Sequence, residues 1–175
     1  MRCISIRDRV MVQYLNGDGG LIQLLFVCHG NICRSPMAEF VFRHLVKEKG
    51  LSGEIVSASA ATSAEELGNP VHHGTRRKLA QVGISAEGKV AVRLRRVDYD
   101  AYDYIVGMDR WNMQNMRRLF GEDSEKKLHL LLDYAGRFGE EIADPWYSGD
   151  FDLTYKEVLA GCQGLLDYIV REHGL

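Results

Sequence analysis

The stretch that most limits the possible folds is the junction at residues 21–50. "LIQLLFVC" (21–28) is a short, nearly continuous apolar run with some β-branching, the pattern of a strand buried on both faces of a parallel sheet. It runs into Gly30 and then Ser35-Pro36, after which Met37, Phe40, Val41 and Leu45 recur at helical spacing until Gly50 supplies a stop. Pro36 suits the first helical turn, where its missing N–H costs nothing. A strand that passes through a short loop into a helix must return to its sheet by a crossover, and crossovers join parallel strands.

The rest of the chain repeats that alternation. Strands are expected at 54–61 ("EIVSASAA"), 102–108 ("YDYIVGM") and 127–134 ("KLHLLLDY"), and helices at 75–83, after Asp109 as N-cap, and at 154–174 despite Gly161 and Gly164. This predicts a single α/β domain: a four-stranded parallel sheet, order 2-1-3-4, with helices on both faces, flavodoxin-like. With 175 residues, 46% of them hydrophobic, the chain suits one well-buried domain. We expect it to span 21–175, leaving 1–20 as an N-terminal extension.

Lysine plus arginine (22) nearly balance aspartate plus glutamate (24), so the net charge of -2 gives no general attraction to nucleic acid or membrane. Any affinity for phosphate must be local. Cys3, Cys28, Cys33 and Cys162 lack zinc-hook spacing, and a chain of this size needs no disulfide staples. Charges at Arg2, Arg7, Asp8 and Arg9 interrupt any apolar leader. These features predict a soluble, monomeric, cytoplasmic protein with reduced thiols, no metal and no cofactor.

Ligands of such sheets bind beyond the carboxyl ends of the strands, where "VCHGNICRSPMAE" (27–39) lies. Five residues separate Cys28 from Arg34, enough for a loop whose backbone N–H groups curl around an anion at a helix N-terminus. Gly30 is free to take backbone conformations closed to other residues, and Asn31 tolerates the left-handed region. Arg34 offers a planar fork for two phosphate oxygens. A thiol at Cys28, facing such dipoles and a guanidinium, is favoured as the nucleophilic thiolate. A bare C-x5-R also arises by chance around a small buried cysteine.

The full string is more specific, and it resembles the signature of the low-molecular-weight protein tyrosine phosphatases, V-C-x-G-N-I-C-R-S-P-x-A-E. "SASAATS" (57–63), "YDYIVGMDRWN" (102–112) and "ADPWY" (143–147) resemble further segments of that family. The resemblance implies hydrolysis of phosphotyrosine in protein substrates, with His29, Gly30, Asn31, Ile32, Cys33, Arg34 and Ser35 cradling the phosphate. It implies Cys28 as nucleophile, Arg34 as clamp and Asp144 as general acid and base, with a bell-shaped, mildly acidic pH optimum. It further implies that Asn31, Ser35 and Ser59 support the loop, that Ser35 donates to Cys28, and that Glu65, Trp146 and Tyr147 wall the substrate. Cys33 is either a small buried hydrophobe or a redox partner that captures an oxidised Cys28, the reading the family favours.

The chain also departs from the family. Glu65 stands where an aromatic wall residue is usual, which favours cationic substrate flanks. The family's histidine after the second helix is missing, "ISAEGKV" offering Gly88 or Lys89 instead, which weakens the expected support for Asn31. Ile32 favours an aryl phosphate over the phosphoarginine taken by a related branch with threonine there. Arsenate reduction would need further cysteines, and none lies between Cys33 and Cys162. Cys28, Arg34 and Asp144 are all present, against a phosphotyrosine-binding pseudoenzyme. Met108, Met113, Met116 and Cys162 read as core filling, and His72-His73 and "RLRR" (93–96) as solvated surface.

Overall fold

The computed structural model describes residues 20–175, so the expected extension at 1–20 lies outside the described residues except for Gly20. Strands β1 (Ile22–Cys28), β2 (Ile55–Ala61), β3 (Tyr104–Gly107) and β4 (Leu128–Leu130) form one sheet in the order 2-1-3-4. Every pairing is parallel. β1 is central, and five of its last five residues are buried, as its unbroken apolar run requires.

Side chains alternate across the sheet, and each face has its own core. Leu24, Phe26 and Cys28 point into one, with residues of helices α1 (Arg34–Glu48) and α6 (Phe151–His173). Leu25 and Val27 point into the other, with Met113 and Met116 of helix α4 (Arg110–Phe120). Helix α2 (His73–Gln81) and the short α3 (Asp98–Ala101) and α5 (Pro145–Ser148) complete the chain. Among the described residues no helix is long and apolar enough to cross a membrane.

The fourth strand departs from the sequence expectation. It stops at Leu130, and residues Leu131–Ala135 turn into a 3-10 helix. β4 is an edge strand, and the second half of its apolar run is consumed elsewhere: Leu131 and Leu132 are fully buried against α6. Gly161 and Gly164 allow this approach, because a Cβ on Gly164 would overlap the Tyr134 carbonyl and one on Gly161 would lie 2.5 Å from Leu131 Cγ. The two glycines that weaken α6 as an isolated helix therefore set how closely it docks. Cys162 sits on that buried face, and burial alone pushes its thiol pKa up, in keeping with a packed, inert thiol.

Candidate active site

Cys28 ends β1 and Arg34 begins α1, so strand and helix hold the two ends of the loop. The carbonyls of Cys28, His29 and Ile32 accept from the backbone N–H groups of Thr62 (2.9 Å), Ser63 (3.0 Å) and His72 (2.8 Å). Turning these oxygens outward removes them from the loop's interior, where they would repel an anion. The Asn31 N–H points inward and donates to Cys28 Sγ at 3.3 Å.

Asn31, fully buried, is the hub of the loop. Its φ of 58° is the left-handed conformation, whereas Gly30 does not adopt positive φ, contrary to the conformational role expected of that glycine. A Cβ at Gly30 would lie 3.1 Å from Glu66 Cγ, a tight contact that the glutamate side chain would have to yield to. The Asn31 amide makes four hydrogen bonds, the full capacity of such a group. Its Nδ2 donates to Ser35 Oγ and Ser59 Oγ, both at 2.8 Å, and its Oδ1 accepts from Val92 N–H (3.0 Å) and Lys89 Nζ (2.9 Å).

This amide fixes the direction of the neighbouring hydroxyls. Ser35 Oγ accepts from Asn31, leaving its proton for Cys28 Sγ, 3.0 Å away. Ser59 Oγ likewise accepts from Asn31 and donates to Glu39 Oε2 at 2.5 Å. Buried Glu39 also accepts from Arg43 at 2.5 Å. The expected weakness from the missing histidine is corrected by Lys89, whose amine reaches the same Asn31 oxygen. Burial lowers its pKa, against the raising effect of Glu39 and Cys28.

Arg34, only 4% exposed, is held between two carboxylates. Its Nη1 donates to Asp109 Oδ2 at 2.6 Å, and its Nη2 pairs with Asp144 Oδ2 at 2.8 Å. Burial alone would lower its pKa, but Cys28, Asp144 and Asp109 together outweigh that and raise it. The sequence marks Asp109 only as a cap. It does cap α4, Oδ1 accepting from Asn112 N–H at 2.7 Å, while its other oxygen orients the guanidinium. Asp144 caps α5 through Oδ1 on Trp146 N–H (3.1 Å).

A cleft of about 140 Å³ opens above Cys28, lined by Gly30, Ile32, Arg34, Asp144 and Trp146 among others. Glu65, Trp146 and Tyr147 line it, and so does Glu66, which sequence reasoning missed. Trp146 and Tyr147 are exposed at its rim. Glu65 is paired with His29 at 3.1 Å, with both side chains mostly in solvent, where such a pair contributes little. Cys33, buried, also lines the cleft. His72 departs from the solvated reading: its Nδ1 accepts from Gly74 N–H at 3.1 Å to cap α2, and its ring stacks on Phe151 with centroids 5.3 Å apart.

Comparison with known proteins agrees with this geometry. The family model described as low molecular weight phosphotyrosine protein phosphatase matches residues 23–174. The low molecular weight protein-tyrosine-phosphatase YfkJ of Bacillus subtilis is 40% identical over 156 residues, covering 89% of this chain and all of that one. PtpA of Staphylococcus epidermidis, named likewise, is 36% identical over 155 residues, covering 89% of this chain and 98% of its own. The crystal structure of YfkJ superposes with a TM-score of 0.85 at 41% identity, over 89% of this chain and 99% of that one.

Proposed function

The chain belongs to the low molecular weight phosphotyrosine protein phosphatase family, and we propose that it hydrolyses phosphotyrosine on proteins through a phosphocysteine formed at Cys28. The observation that carries this reading is the position of Cys28 Sγ, hydrogen-bonded to Asn31 N–H and Ser35 Oγ at the base of a cleft that also contains Arg34 and Asp144. A thiolate there is stabilised by donors that need not reorganise during the reaction.

The geometry supports the following roles. Phosphate enters by exchanging its oxygens for Asp144 on the Arg34 Nη2 fork, while Asp109 keeps Nη1 oriented. Cys28 attacks phosphorus in line with the departing phenolic oxygen, and Asp144 in its acid form gives that oxygen a proton. The Asp144 carboxylate then takes a proton from the water that attacks the phosphocysteine, releasing phosphate and restoring the thiolate. Trp146 and Tyr147 offer aromatic surface to the phenyl ring, and Ile32 an apolar contact that suits an aryl phosphate better than a guanidino one. The test is turnover of a phosphotyrosine peptide, inhibited by vanadate, beside its phosphoarginine counterpart. Faster hydrolysis of phosphotyrosine is expected, and preference for phosphoarginine would overturn the substrate assignment.

The chemistry needs a free thiol, which supports action in a reducing compartment such as the cytoplasm. All the proposed catalytic groups come from one chain, which supports action as a monomer. Cys33 extends the argument to redox protection. Burial first, and Cys28 second, push its pKa up to about 12, so it is a neutral thiol at pH 7 and does not compete as nucleophile. Peroxide converts the Cys28 thiolate to sulfenic acid, releasing hydroxide; attack by Cys33 then forms the disulfide and releases water. Oxidation also removes the Cys28 charge that helps keep Cys33 protonated. Peroxide-inactivated protein should regain most of its turnover with a dithiol, and Cys33→Ser should lose that recovery; equal recovery in both would leave Cys33 as a packing residue.

A further inference from the structure

Beside the catalytic cleft lies a second groove, of about 300 Å³, and the two share His29. Ser63, Arg93, Asn115 and Arg118 line it, and no carboxylate does. Arg93 and Arg118 are exposed and have no ion-pair partner among the described residues. Thr62 lines the groove as well, and its buried hydroxyl has no hydrogen-bond partner among those residues. The groove therefore presents two uncompensated guanidinium groups next to the reaction centre.

The backbone of Arg93 is also fixed relative to that of Cys28. Cys28 is in register with Ala61, and Ala61 forms a parallel bridge with Arg93, so the two backbones are two strand spacings apart, roughly 10 Å. Ala61 N–H donates to the Val92 carbonyl and Leu94 N–H to the Ala61 carbonyl, both at 2.8 Å. Val92 N–H itself donates to Asn31 Oδ1, tying this segment to the hub of the catalytic loop. An extended peptide advances about 3.3 Å per residue, so the span equals about three residues. Glu65 and Glu66 line the catalytic cleft but not the groove, and Glu65 is paired with His29, which lines both.

We propose that this groove binds acidic side chains of the substrate, two to four residues from the phosphotyrosine, and so sets the direction in which the peptide crosses the mouth. The proposal rests on the phosphotyrosine reading above. Exposed ion pairs are individually weak but sum and are sensitive to salt. Their contribution is therefore specificity and orientation more than raw affinity.

The test compares three phosphotyrosine peptides, with paired aspartates on the N-terminal side, on the C-terminal side, or replaced by serines, against a small aryl phosphate. One acidic peptide is expected to exceed the serine peptide by about five-fold in kcat/KM at low salt. That gain should vanish at high salt and in the Arg93→Glu/Arg118→Glu double variant, read as the ratio of peptide to aryl phosphate kcat/KM. The same three peptides are titrated into Cys28→Ser, where binding alone is measured. Equal use and equal binding of all three by protein with intact arginines, or a gain that survives the double variant, would overturn the proposal. Loss of all turnover would count against the catalytic reading instead, and the binding titration would still decide for or against the groove.

Discussion

Cys28→Ser is expected to reduce hydrolysis of an aryl phosphate by about 10⁴-fold or more, since removing the nucleophile of a concerted set leaves only the residual effect of binding. Phosphate should still bind, because Arg34 and the loop do not depend on sulfur. The substitution keeps a group of similar size at a site only 3% exposed, and a hydroxyl there can still meet Ser35 Oγ and Asn31 N–H. The melting temperature should accordingly move by only a few degrees, while rapid quenching should trap a phosphothiol in the parent protein and none in the variant. Retention of turnover would place the nucleophile elsewhere.

Asp144→Asn has two expected effects of opposite sense. Loss of the proposed proton donor should lower kcat by about 10²-fold for a poor leaving group, and by much less for a phenol acidic enough to depart unaided. The variant should also bind inorganic phosphate and vanadate more tightly. Asp144 Oδ2 lies 2.8 Å from Arg34 Nη2, so it competes with any incoming anion for the same donor, and a neutral amide competes less well. Measuring kcat across a leaving-group series together with the phosphate inhibition constant separates the two effects. An unchanged kcat for the poorest leaving group would remove Asp144 from the chemistry.

Such an ion pair could not be read from the sequence, whereas the loop that contains Cys28 could. The strand, loop and helix at 22–48 follow from local patterning, and Cys28 and Arg34 lie within the same short string. Asp109 lies 75 residues from Arg34. A capping aspartate has two oxygens, and sequence discloses the partner of one, the nearby Asn112 N–H, but not of the other. Lys89 was harder still, since a lysine is ordinarily solvated and this one crosses from a loop to meet an amide 58 residues earlier. The end of β4 is not legible because an apolar run does not say whether its leucines face a sheet or a helix; Gly161 and Gly164, which weaken the last helix by propensity, carry that information.

The same lysine has a consequence for the conditions under which the protein can work. A histidine supporting Asn31 would titrate near pH 6.5, within the mildly acidic range where a carboxylic acid donor works best, so the loop's scaffold and its proton donor would change state together. A lysine amine starts from a usual value of about 10.4, and burial shifts it downward. Acidification favours the charged amine that donates to Asn31 Oδ1, so a lower pH does not withdraw that donor from beneath the loop.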